Sequence, residues 1–113
     1  MAKSSYPPPM PGEKLLLKAL LLYVENSPRY IASERTVASL YQLVLHSTPD
    51  SMDLRFDAAS KDRRLHKACI SYSKFRTQTP DKLFANILTG MATSLTGTTL
   101  TMGELHCIAD SED

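Results

Sequence analysis

Residues 15–24 read LLLKALLLYV. On a helical wheel of about 100° per residue, Lys14, Lys18 and Glu25 fall on one narrow stripe, and apolar side chains fill most of the remaining circumference. A surface helix carries a much narrower apolar stripe. The run is about half the length a membrane-spanning helix needs. It therefore predicts a helix over 12–26 that lies at the centre of a core or in an oligomer interface. The second option is the expectation carried forward: a homodimer whose interface includes Leu15, Leu17, Leu21, Leu22 and Tyr23.

The segments on either side define a mainly α-helical class. A helix is expected over 33–47, capped by Ser33, with Val37, Leu40, Tyr41, Val44 and Leu45 at i, i+3, i+4, i+7 and i+8. STPD (47–50) reads as a turn. MDLRFD (52–57) alternates apolar and charged residues, the period of a short half-buried strand. A third helix is expected over 60–75, capped by Ser60, and a fourth over 80–91 with Pro80 at its start. ATSLTGTTLTM (92–102) suggests a small hairpin turning at Gly97. Thr101 and Glu104 have the spacing of a capping box opening a last helix over 102–109. The expectation is a small bundle of four to five helices with at most one short strand or hairpin. It spans residues 12–109 as a single domain, between a flexible proline-rich arm (1–11) and a frayed acidic tail (110–113).

Length and composition bound the function. The chain has 113 residues, 42% apolar and 22% charged, the make-up of one globular domain. Two cysteines, Cys69 and Cys107, make no disulfide framework and are read as free, largely buried thiols. With no secretory signal in MAKSSYPPPMPGEK, the expected compartment is the cytoplasm, or the nucleus in a eukaryote. Among His46, His66, His106, Cys69 and Cys107 a single pair, His66 and Cys69, has the i, i+3 spacing of a helical metal site, and two ligands without a third do not make one. No metal or other cofactor is expected. Nucleophile elbows and glycine-rich phosphate loops are missing, so no catalytic residue is assigned and an enzyme is not expected.

SERTVASL (33–40) resembles the start of a helix-turn-helix recognition helix, but NSPRYIA precedes it without the glycine-containing turn. The stronger signal is ASKDRRLHKACISYSKFR (59–76). Residues 61–76 hold Lys61, Arg63, Arg64, Lys67, Lys74 and Arg76 against Asp62 alone, and 77–113 is correspondingly acidic. Leu65, Ala68, Cys69, Tyr72 and Phe75 gather on one arc of the wheel, with Arg63, Lys67 and Lys74 opposite. Cations a turn apart suit successive phosphates. These six residues are the candidate nucleic-acid site, DNA or RNA, of a regulatory or accessory factor. The alternative is an adaptor or inhibitor, of the kind phages and viruses encode. It would dock on an acidic partner protein through the same face, or through the arm, where Pro8 and Pro11 have P-x-x-P spacing. The acidic end could also fold back on the basic helix.

Overall fold

A computed structural model describes residues 6–111. Residues 1–5 of the proline-rich arm, and Glu112 and Asp113 of the acidic tail, lie outside the described residues. The described residues form six α-helices: α1 (Glu13–Asn26), α2 (Val37–Leu45), α3 (Pro49–Ala59), α4 (His66–Thr77), α5 (Asp81–Leu95) and α6 (Met102–Asp110). There is no strand among the described residues.

α1 is the hub. It packs against α4, α6 and α2, while α2 packs on α5, and α3 on α4 and α5. Leu16, Leu17, Leu20, Leu21 and Val24 are fully buried within the single chain, and Tyr23 nearly so. Leu15 and Leu22 are half-buried against the same core. Leu17, Leu21 and Tyr23 are thus not open to a second copy, and the apolar breadth of α1 is used up inside the chain by three helical neighbours.

The polar stripe of α1 is covered as well. Lys18 reaches Asp110 at 3.0 Å and donates to His106 Nδ1 at 3.3 Å. His106 Nε2 meets Glu25 at 2.8 Å, and Lys14 donates to the Ser111 carbonyl. These contacts assign His106 the Nε2–H tautomer, with Nδ1 accepting. Asp110 of the acidic end therefore pairs with α1, whereas Asp81 of the same acidic stretch pairs with Arg76 of the basic segment.

The segment read as a strand is α3. Thr48 caps it in a reciprocal box with Ser51 (3.1 and 2.8 Å), and Pro49 occupies the first turn, where its missing N–H costs nothing. Met52, Phe56 and Ala59 go inward at i, i+4 and i+7, and Leu54, the middle residue of the apparent alternation, is 71% exposed. α2 begins later than expected. Residues Ala32–Glu34 form a 3-10 turn and Thr36, not Ser33, caps the helix by accepting from Ser39 N. Leu45, expected inside, is exposed. α5 runs on to Leu95 and absorbs the first part of the expected hairpin. Gly97 (φ 74°) then turns the chain toward the Thr101–Glu104 box that opens α6.

At the other end, Tyr6 and Met10 N both donate to Glu13, which is 3% exposed at the start of α1. Burial, and then the bond to Glu13, pushes the Tyr6 hydroxyl far above its ordinary pKa. Residues 6–11 of the arm are tied to the domain by these bonds.

Candidate nucleic-acid interface

The basic segment is a corner followed by a helix, not one helix. Ser60 ends α3, its hydroxyl donating to the Asp57 carbonyl at 2.6 Å. Asp62 then caps a 3-10 turn, Arg63–Leu65, before α4 begins at His66. The Asp62 carboxylate accepts from Arg64 N (2.9 Å), Arg64 Nε (3.1 Å) and Arg64 Nη2 (3.0 Å). The hydrogen bonds from the Arg64 side chain, and then from its backbone, hold the Asp62 carboxyl below its usual range. Leu65, 3% exposed, pins the corner to the core.

This corner gathers Lys61, Arg63 and Arg64 around a shallow depression that Ala58 and Asp62 complete. Lys67, Ile70 and Lys74, at i, i+3 and i+7, form the outer stripe of α4, and all three are exposed. Lys67 and Lys74 lie roughly 10 Å apart along the axis. Among the described residues no ion pair reaches Lys61, Arg63, Lys67 or Lys74. Asp62, the one acid of the segment, is committed to Arg64.

Arg76 stands apart from this face. Its Nε lies 3.0 Å from Asp53 Oδ1, its Nη2 3.2 Å from Asp53 Oδ2, and its Nη1 2.7 Å from the Thr79 carbonyl. Asp81 also pairs with it, and the guanidinium carbon sits 5.1 Å from the centre of the Phe84 ring. Arg76 lies four residues after Tyr72, on the same inner face of α4, and the Tyr72 hydroxyl donates to the same Asp53 carboxylate. The wheel already places position 76 beside core residue 72. Desolvation alone would raise the Asp53 pKa, but the bonds from Arg76 and Tyr72 outweigh it and hold the carboxyl below its usual range.

The thiols divide. Cys69 is half-buried, its Sγ 3.8 Å from the Phe56 carbonyl, and burial pushes it above the ordinary thiol pKa. It therefore stays protonated near neutrality. Cys107, expected to be buried, is exposed on α6. No helix among the described residues is long and apolar enough to cross a membrane.

Compared with known proteins, the chain matches no family model, no curated protein and no solved structure.

Proposed function

We propose that this protein is a non-enzymatic nucleic-acid-binding factor that grips the phosphate backbone with the α3–α4 corner and the outer stripe of α4. The supporting observation is the set of four exposed cations, Lys61, Arg63, Lys67 and Lys74, without ion-pair partners among the described residues, while Asp62 is occupied by Arg64. Arg64 keeps donors to spare, because its side chain remains 63% exposed beside Asp62. Arg76 is omitted from the interface, since Asp53, Asp81 and Thr79 already take its donors. The reading is made for one copy, because the breadth of α1 no longer calls for a second.

The test is retardation of duplex DNA and of RNA across a salt series. Four phosphate contacts give a slope of log affinity against log salt of about −3 to −4 on duplex DNA. Absence of retardation of both polymers at low salt overturns the reading. One observation favours an acidic protein as the alternative partner: Ile70, 43% exposed, stands between Lys67 and Lys74, an apolar contact that phosphate does not use.

A further inference from the structure

A second surface, formed by α2 and α3, is built for a different ligand. Arg55 projects from α3 toward α1 and α2, where its guanidinium carbon lies 5.8 Å from the centre of the Tyr23 ring. Its Nε is buried and has no hydrogen-bond partner, the one side-chain nitrogen or oxygen so placed among the described residues. No carboxylate pairs with the group there either. A guanidinium cannot shed its proton to escape this, and a buried donor left unmade costs more than an ordinary hydrogen bond returns. The Tyr23 ring holds the side chain in place, a contact that leaves the in-plane donors of the fork unclaimed.

Arg55 also lines a groove of about 360 Å³ between α2 and α3. Its polar lining is Tyr30, Ser39, Gln42, His46 and Arg55, and its apolar walls are Ala38 and Leu43. His46 Nε2 lies 3.1 Å from Gln42 Oε1. With Nε2–H donating, the carbonyl end of Gln42 is occupied and its NH2 is left to donate. The lining is thus dominated by donors: a guanidinium, an amide NH2 and two hydroxyls, with no carboxylate. Glu34, close enough to act on the Tyr30 hydroxyl, is turned to the Ile31 N–H at 3.1 Å, where it caps its own turn.

We propose that this groove binds a small organic acid, its carboxylate or phosphate oxygens on the Arg55 fork and its apolar body against Tyr30, Ala38 and Leu43. Forked donors match two oxygens of such a group, and the volume suits a ligand at the small end of the usual range. The proposal shares no residue with the α3–α4 corner, so it stands or falls independently of nucleic-acid binding.

The experiment is an NMR titration of the full chain with phenyl phosphate, benzoate and inorganic phosphate, following the Arg55 Nε–H and Gln42 side-chain signals. Saturable shifts at roughly millimolar phenyl phosphate or benzoate are expected, weakened more than tenfold in Arg55→Met. Arg55→Met, which fills the space without the orphan donor, is expected to melt no lower than the wild type. Equal affinity for inorganic phosphate assigns the groove to the free anion rather than an organic acid. Absence of saturable shifts overturns the proposal. So do shifts unchanged in Arg55→Met, or a lowered melting point in that variant without any ligand response, which marks a packing role alone.

Discussion

Arg76 Nε lies 3.0 Å from Asp53 Oδ1, and this bond ties α4 to α3 beneath the stacked rings of Phe56 and Tyr72, whose centroids are 4.2 Å apart. Because the folded-state pKa of Asp53 is depressed, the stabilisation is complete above the unfolded carboxylate pKa of about 3.9 and is lost as pH falls through the folded value. The Asp53 side chain is 41% exposed, so solvent screening holds the contribution to about 1 kcal/mol. Asp53→Asn is expected to lower the melting temperature by about 4 °C at neutral pH. It should also flatten the loss of stability below pH ~4. Melting curves from pH ~7 down to ~2.5 measure both; equal slopes for wild type and variant would count against the bond.

Reversal of Lys61, Arg63 and Lys67 to Glu removes three of the four unpaired cations. Retardation of nucleic acid is expected to disappear at moderate salt, with the helical circular dichroism unchanged. Single Lys67→Ala should reduce the salt slope by about 1. Arg76→Lys, a control off the interface, should alter melting temperature and leave the slope intact.

Leu20 is fully buried at the middle of α1. Leu20→Ala deletes methylenes in a core closed by α4, α6 and α2 and should cost about 2–5 kcal/mol. Chemical denaturation with an unchanged m-value is the expected signature.

Gly12 precedes α1 with φ 86°, and a Cβ built there meets Thr79 Oγ1 at 3.5 Å and Phe75 at 3.7 Å, ordinary contact distances. The cost of Gly12→Ala is therefore one of backbone conformation, about 1 kcal/mol. Gly97→Ala, also at positive φ but in open space, should cost a similar amount. A much larger loss at Gly12 would mean that Phe75 cannot yield.

The helices with an unbroken 3.6-residue period were legible in the sequence. The apolar period places α1 within one residue of its observed start, and the Thr101–Glu104 box places α6. α3 was hidden because Met52, Leu54 and Phe56 alternate by coincidence. The competing signal was the Thr48–Pro49 start together with the i, i+4, i+7 spacing of Met52, Phe56 and Ala59, and tertiary packing chose the helix. Ser60 also misled. A serine after two alanines suits the start of a helix, yet here it closes α3, and Asp62 takes the capping role because its carboxylate can hold the Arg64 N–H. Of the candidate interface, the exposed positions Lys61, Arg63, Arg64, Lys67 and Lys74 could be read from charge and wheel position. The capture of Arg76 required knowing that Asp53 lies across from it. The Arg55 groove left no trace in the sequence, since it joins residues 30, 38–46 and 55 only through the packing of α2 on its neighbours.

The order of α1 and its partners along the chain bears on how the molecule is made. α1 is complete at Asn26, but α4 ends at Thr77 and α6 at Asp110. At ribosomal speeds of about 5–20 residues per second, the most leucine-rich helix among the described residues waits roughly 3–10 s for α4, and longer for α6. During that interval its leucines are exposed to whatever binds nascent hydrophobic segments. Yield in the cell is therefore expected to depend on chaperone supply more steeply than the stability of the finished bundle would suggest.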